Sequence, residues 1–244
     1  SDLAKAIVSG VPATGGLMAD MTDFGTTRLI DGASAATKRV IFVGFYGEEL
    51  EVRAGCAAGW GEFGVDRVIT RSEGNVVFEI DNQPALELYK RYLGDFADEL
   101  PASGLRFPLS IRDPDNGKPL IRTLLSIDED NQSLVFAGDM PEGAISLLMR
   151  GNTTNLINGA TSAGEQVGAV EGDKGLGILV SCVGRRLVMD QLVEEEVEAV
   201  DDALGESCWL TGFYSYGELA PHQDSLLQCH LHNQTMTLTV ISEQ

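Results

Sequence analysis

Hydrophobic and polar residues along this chain alternate mainly with the period of β-strands, and a few stretches have the helical period. Residues 38–47 (KRVIFVGFYG) combine β-branched and aromatic side chains and end in glycine, which predicts a buried strand. Residues 50–56 alternate, and we expect them to pair with that strand. Residues 67–70 and 75–80 flank a Glu-Gly-Asn turn, which favours an antiparallel hairpin.

A short helix is predicted after this run of strands. Pro84 suits the first turn of a helix, where no backbone N–H is needed, and Gly94 is a suitable C-terminal cap. The change from strands to helix near residue 83 is therefore the predicted domain boundary. Residues 101–117 contain one further apolar strand, and residues 120–137 predict a second hairpin.

The last part of the chain predicts a strand, a helix and two more strands. Residues 176–182 form a buried apolar run, and residues 209–216 and 228–241 have the pattern of strands. Between them, one apolar side of a helix is predicted from Val193, Val197, Val200 and Leu204. The opposite side is expected to be a solvated acidic face that consists of Glu194, Glu195, Glu196, Glu198, Asp201 and Asp202.

These elements together predict a fold of the mixed α/β (α+β) class. We expect two layered sheets, mixed or antiparallel, flanked by helices. The pattern does not define the order of the strands.

The charge and composition of the chain limit the partners and the cellular location that we expect for it. The chain has 244 residues, of which 37 are acidic and 17 basic, so its net charge is -20. Nucleic acid and anionic membrane surfaces are excluded as expected partners, because both need clustered Lys and Arg. No apolar run approaches the roughly 18 residues of a membrane span, and residues 1–10 lack the pattern of an export signal. We therefore expect a cytoplasmic protein with reduced cysteines.

Two segments contain residue types that occur in catalytic sites. The glycine-rich residues 54–64 lack the Lys-Ser/Thr of a phosphate-binding loop, and a sharply bent backbone explains them equally well. Cys182 ends a predicted strand just before Arg185 and Arg186, whose positive charges would lower the pKa of a reactive thiol. The other interpretation of Cys182 is a small buried residue at a tight turn.

The three histidines lie close together in sequence near the C-terminus. His230 and His232 alternate on a predicted strand, so both side chains are expected on one face, with His222 and Cys229 nearby. Such a pair could bind a metal, or one of the two could ligate a haem iron. Because no acid or thiol at a fixed spacing completes a metal site, a hydrogen-bonded structural role stays open.

Several segments, taken in order, resemble one known family. They are residues 75–94 (NVVFEI, PALELY and YLG), 181–186 (SCVGRR), 212–219 (GFYSYGEL) and 231–237 (LHNQTMT). The sequence is similar to the FIST family, named for F-box and intracellular signal transduction. The resemblance implies that residues 1–83 are the C-terminal part of a FIST N domain, so that the chain begins inside it, and that residues 84–244 are a FIST C domain.

The resemblance also implies a function. FIST proteins are sensory modules rather than enzymes, and they are thought to bind small ligands such as amino acids. No F-box, kinase or cyclase segment is visible, so output is expected to pass through a separate signalling partner. Some bacterial members bind haem and sense nitric oxide, which makes a haem sensor with His232 or His230 as ligand one alternative. A thiol enzyme that uses Cys182 is the second alternative.

A ligand site can be predicted from the aromatic and charged residues of the last strands. Strand alternation would place Tyr214, Tyr216 and Glu218 on one face, where they would receive a ligand's ammonium group. The polar pair His232 and Asn233 lies nearby in sequence. Candidate partners for the ligand's carboxylate are Arg185 and Arg150. In the other interpretation the tyrosines pack in the core and Glu218 caps a turn.

Overall fold

The structure is a computed structural model that describes residues 11–21, 25–112, 119–169, 175–205, 208–222 and 225–243. The first ten residues, which lack the pattern of an export signal, and the side chain of His222 lie outside the described residues. Helices and sheets occur together in one mixed α+β fold, as the sequence predicts.

The strands of the described part are numbered in chain order. The first nine are β1 (Gly15–Met18), β2 (Leu29–Asp31), β3 (Ser34–Ala36), β4 (Leu50–Ala57), β5 (Gly61–Glu62), β6 (Arg67–Glu73), β7 (Val76–Ile80), β8 (Gln83–Pro84) and β9 (Leu109–Arg112). The others are β10 (Pro119–Arg122), β11 (Leu124–Asp128), β12 (Ser133–Phe136), β13 (Ile145–Arg150), β14 (Gly175–Cys182), β15 (Cys208–His222), β16 (Ser225–His232) and β17 (Met236–Glu243).

The helices lie between these strands. The α-helices of the described part are α1 (Ala85–Leu93), α2 (Thr153–Val167), α3 (Val183–Met189) and α4 (Glu194–Leu204). Short 3-10 helices span Gly94–Glu99, Ala102–Arg106 and Asp190–Leu192.

Two sheets organise the fold. Sheet I has the order β1-β15-β14-β17-β4, with β16 beside β15; β14 and β15 are parallel, and its other pairs are antiparallel. Sheet II has the order β10-β9-β13-β6-β7-β12-β11, with β5 against β13 and β8 against β7, and its pairs are antiparallel. Each sheet contains strands from both sides of residue 83, so the predicted domain boundary is not a boundary between sheets.

Each sheet has its own apolar core. Helix α2 lies on β4 and β17, and α4 packs on α2, which buries Ala160, Val200 and Leu238 over sheet I. Helix α1 lies on β7 and β12 and covers the core of sheet II. A third cluster contains Trp60, Met149, Leu156 and Met189. Met149 lies in β13 of sheet II, and Leu156 lies in α2, which covers sheet I, so this cluster joins the two cores.

Several local predictions are confirmed. Strands β6 and β7 form the predicted hairpin, and Gly74 has a φ of 58° in its turn. Helix α1 begins after Pro84 and ends at Gly94, which has a φ of 57°. Strands β9, β14 and β15 lie in the predicted segments, and β11 pairs with β12 as the second hairpin. The first strand predicted for that hairpin is divided, because its beginning forms β10, which pairs with β9.

The strand predicted over residues 38–47 is wrong. These residues form no strand in the structure, and their apolar side chains are exposed; Tyr46 is 94% exposed. Strand β4 does form, but it pairs with β17, and no described strand lies on its other edge. The predicted final strand, residues 228–241, is divided into β16 and β17 by a buried turn at Asn233, Gln234 and Thr235.

The orientation predicted for helix α4 is also wrong in part. Glu196 was expected on the solvated acidic face, but it is fully buried, whereas Val197 is 41% exposed. The buried positions of α4 are Glu196, Val200 and Leu204. The acids Glu194, Glu195, Glu198, Asp201 and Asp202 are exposed as predicted.

Substitution of Gly55 in β4 tests how closely α2 packs against sheet I. A Cβ atom at Gly55 would lie 2.0 Å from the carbonyl oxygen of Ala163. We expect Gly55→Ala to lower the free energy of unfolding by roughly 1–3 kcal/mol, because backbone must move to admit the methyl group. Urea denaturation measures this change.

The matched control is Gly61→Ala, since a Cβ atom there meets its nearest neighbour at 3.5 Å, an ordinary contact. It should change stability by less than about 0.5 kcal/mol. Equal stability of the two variants would contradict the close contact between β4 and α2.

Candidate functional site

A buried ion pair lies at the carboxyl end of β14. Arg185 on α3 and Glu196 on α4 are both fully buried, and Arg185 Nε and Nη2 lie 3.0 and 2.9 Å from Glu196 Oε2. Ser181 Oγ and Tyr214 OH donate to Glu196 Oε1 at 3.0 and 2.8 Å. The carboxylate therefore has donors on both of its oxygens.

The other donors of Arg185 bind backbone carbonyls. Arg185 Nη1 donates to the oxygen of Ala58 at 2.5 Å, and Nη2 donates to the oxygen of Leu156 at 2.8 Å. The guanidinium thus joins α3 and α4 to α2 and to the segment after β4. With these bonds in place, Arg185 does not offer the free fork that was predicted for a ligand's carboxylate.

The three residues predicted on one face of β15 point to different partners. Tyr214 OH donates to Glu196, whereas Tyr216 OH donates its proton to Asp20 and lies 3.1 Å from the carbonyl oxygen of Met21. Glu218 is separated from Tyr214 by a bulge: Gly16 and Met18 of β1 face Glu218 and Ser215, so β15 has an extra residue in this interval. The alternation on which the prediction depended is interrupted there.

The bulge places Glu218 beside Ser215. Ser215 Oγ donates to Glu218 Oε1 at 2.6 Å, and the N–H and Oγ1 of Thr235 donate to Oε2 at 3.2 and 2.9 Å. Burial raises the pKa of the Glu218 carboxyl to about 7, although these hydrogen bonds act in the opposite direction. Glu218 therefore links β15 to the turn before β17 rather than to a convergent aromatic face.

The remaining predicted ligand residues are scattered. Arg150 lies over the ring of Phe63 at 5.5 Å. Asn233 is buried, and its Oδ1 has no hydrogen-bond partner among the described residues. These two residues do not join the tyrosines in one site.

The two histidines share a face of β16, with ring centroids 6.4 Å apart. His232 is buried, and its Nε2 lies 3.2 Å from the carbonyl oxygen of Ala220. Haem ligation by His232 would require loss of this contact and exposure of the ring, so its present placement does not fit an axial ligand. Among the described residues, no three His, Cys, Asp or Glu side chains are grouped to bind a metal.

The predicted reactive thiol has the wrong electrostatics. Cys182 is 5% exposed, and burial raises the pKa of its thiol well above the ordinary value; the negative charge of Glu218 acts in the same direction. The sequence predicts that Arg185 lowers this pKa, and the prediction is wrong. The guanidinium instead neutralises Glu196, and the thiolate needed for nucleophilic attack is strongly disfavoured.

One open pocket lies beside the ion pair, between α4 and sheet I. Its volume is about 220 Å³, and we call it the α4 pocket. Its lining is mainly apolar and includes Leu179, Val197, Leu210 and Met236, together with Ser181 and Tyr214. Of the ligand residues predicted from sequence, Tyr214 is the one that lines it.

Two residues near this pocket were not predicted as part of a site. Glu196 is one of several acids in a row, and the rotation of α4 about its axis determines which of these acids is buried. Arg186 was considered only as a neighbour of Cys182, yet its guanidinium lies 5.1 Å from the centre of the Tyr214 ring. The Arg-Arg pair of the sequence thus has one buried member and one beside the pocket.

The fold and the pocket define a mixed α+β protein with a small, mainly apolar cavity. The FIST N domain matches residues 1–83, and the FIST C domain matches residues 85–221. The chain therefore belongs to the FIST family, whose domains are sensory modules of signal transduction rather than enzymes.

No curated protein gives a significant match to the chain. In the part of the chain that the structure describes, no helix is long and apolar enough to span a membrane.

The buried ion pair gives a stability prediction. Glu196→Ala leaves the Arg185 charge buried without its counter-ion, and we expect a loss of about 3–5 kcal/mol in the free energy of unfolding. Glu198→Ala, on the exposed side of the same helix, should change it by less than about 0.5 kcal/mol. Chemical denaturation of both variants measures the contrast, and similar small losses would contradict the ion pair.

Glu218 gives a prediction about pH. Its folded-state pKa of about 7 lies above the ordinary 4.5, so folded protein binds a proton that unfolded protein has lost. Stability from this group is complete below pH 4.5 and falls as pH rises towards 7. The stability difference between wild type and Glu218→Gln should fall by on the order of 3 kcal/mol across this window.

Denaturation at a series of pH values measures this difference, in which other titrating groups cancel. Glu198→Gln is the control, because Glu198 is exposed and its variant should follow wild type at every pH. If the difference in free energy of unfolding between wild type and Glu218→Gln does not change from pH 4.5 to 7, Glu218 is ionised in the folded protein across this range and the prediction is wrong.

Proposed function

We propose that this chain is a sensory module that binds a small, mainly apolar ligand, such as an apolar amino acid, in the α4 pocket and signals through a separate partner. The observation that carries the proposal is the combination of an apolar lining with two hydroxyl groups that also contact the buried ion pair. Membership of a sensory family supports the general role.

The size and lining of the pocket support a ligand of this class. A volume of about 220 Å³ is below the roughly 300 Å³ at which pockets for drug-sized molecules begin. An aliphatic or aromatic side chain of an amino acid matches the contact surface of Leu179, Val197, Leu210 and Met236. A large planar cofactor exceeds this volume.

Arg186 supplies a positive charge next to Tyr214, one of the residues that line the pocket. Its guanidinium lies over the Tyr214 ring, and Tyr214 lines the pocket. A ligand carboxylate is expected to bind Arg186, since a guanidinium pairs with a carboxylate through two parallel hydrogen bonds. Arg186 thus replaces Arg185 and Arg150, the partners predicted from sequence.

The pocket can be filled from the helix. Val197 is partly exposed at its edge, so Val197→Trp should occupy the cavity without disturbing the core. Leu192→Trp is the matched control, because Leu192 is 46% exposed and does not line the pocket. In a thermal-shift screen of the amino acids, we expect an apolar one to stabilise wild type and Leu192→Trp but not Val197→Trp.

The role of Arg186 is tested with the amino acid identified in this screen and the amine that lacks its carboxylate. Arg186→Gln should weaken binding of the amino acid by about tenfold or more and leave the amine unaffected. Retained stabilisation of Val197→Trp would exclude the α4 pocket. If no amino acid stabilises wild type, the proposed ligand class is wrong.

A further inference from the structure

A second cavity lies beside α1 and the first residue of β6, on sheet II. It is an open groove of about 360 Å³, which we call the α1 groove, and it is lined by Arg67, Gln83, Leu88, Arg91 and Tyr92. Two guanidinium groups thus face one cavity in a chain that has 17 basic residues and a net charge of -20. A local pair of cations in so acidic a protein favours an anionic ligand.

The position of Arg67 is fixed by its neighbours. Its Nε donates to the hydroxyl of Tyr92 at 2.8 Å, and its Nη1 donates to Asp81 Oδ2 at 2.7 Å. Asp81 is itself held by the N–H of Val68, which donates to Oδ1 at 2.9 Å. Arg67 Nη2 has no hydrogen bond to a described residue, so its N–H groups remain to bind a ligand, on a guanidinium that is already oriented.

Arg91 provides the second cation. Its Nη2 donates to Gln83 Oε1 at 2.5 Å. Because Gln83 is neutral, this hydrogen bond does not compensate the positive charge of Arg91. Asp81 offsets the charge of Arg67, so the two arginines and this aspartate together leave one net positive charge. One carboxylate would balance that charge, and planar guanidinium groups match its geometry.

An apolar recess continues from the groove. It shares Arg67, Leu88 and Tyr92 with the groove and extends to Ile80 and Leu109. Its volume is only about 20 Å³, so it admits the edge of a ligand rather than a whole ring. The ligand that suits both parts has a carboxylate at the arginines and a short apolar body along Leu88 and Tyr92.

We infer that the α1 groove binds a small carboxylate with an apolar body, as a site separate from the α4 pocket. Arg67 and Gln83 belong to the range matched by the FIST N domain, and Leu88, Arg91 and Tyr92 belong to the range matched by the FIST C domain. A ligand held by both arginines would therefore bridge the two matched ranges of the chain.

The test uses benzoate as the carboxylate, benzyl alcohol as its uncharged analogue and inorganic phosphate as a second oxyanion. Titration of the full chain, followed by NMR or calorimetry, should show saturable binding of benzoate. Arg91→Gln should raise its Kd by about tenfold or more, since it removes a charge-assisted hydrogen bond to the carboxylate. Melting temperatures verify that each variant is folded.

Two controls separate this site from others. Arg112→Gln removes an arginine paired with Asp66 outside the groove and should leave the Kd unchanged. Val197→Trp fills the α4 pocket and should also leave it unchanged. Failure of the α4 pocket to bind amino acids would not affect this result, so the two proposals fail independently.

Four outcomes would overturn the inference. They are the absence of saturable benzoate binding, equal binding of benzyl alcohol, equal weakening by Arg91→Gln and Arg112→Gln, and tighter binding of phosphate than of benzoate. The last would show a site for a bare oxyanion in which the apolar surface plays no part.

Discussion

The buried ion pair between Arg185 and Glu196 is the contact on which the rest of this structure depends. Removing two charges from water costs several kcal/mol per ion, and attraction between them offsets that cost only when their remaining hydrogen bonds are made. Here Ser181 and Tyr214 donate hydrogen bonds to the Glu196 carboxylate. Two backbone carbonyls accept hydrogen bonds from the Arg185 guanidinium. Strands β14 and β15 and helices α2, α3 and α4 must therefore be in place together, because a misplaced element would leave a buried charge without its partners.

Sequence patterns identified most of the elements and the family but not this contact. The hairpin of β6 and β7, helix α1 and strand β14 depend on local periodicity and on turn residues, which the sequence displays directly. The burial of Glu196 depends on how α4 is rotated about its axis. The rotation that buries Val197 and the one that buries Glu196 both place Val200 and Leu204 inside, so the pattern does not distinguish them. Likewise, the sequence Arg185-Arg186 does not reveal which arginine points inward, because the deciding acid lies on another helix.

Two other errors came from pairing, which is a non-local property. The residues Tyr214 and Glu218 would share a face in an uninterrupted strand, but the register of β1 introduces a bulge between them. Residues 38–47 have the composition of a strand, yet composition supplies no hydrogen-bonding neighbour, and β4 pairs with β17 instead. Alternation and propensity describe what a segment can form, and the partner strand decides whether and in which register it forms.

The shared residues of the α4 pocket and the ion pair suggest how a ligand could alter the protein. A ligand shifts a conformational equilibrium only through a difference in affinity between two states. Ser181 and Tyr214 each have one hydroxyl proton, and both protons are donated to Glu196. A ligand that accepts either proton removes a donor from a buried carboxylate, so the state in which Glu196 is displaced becomes less unfavourable. Glu196 belongs to α4, so α4, whose outer face carries exposed acids, is the element that such a ligand would move.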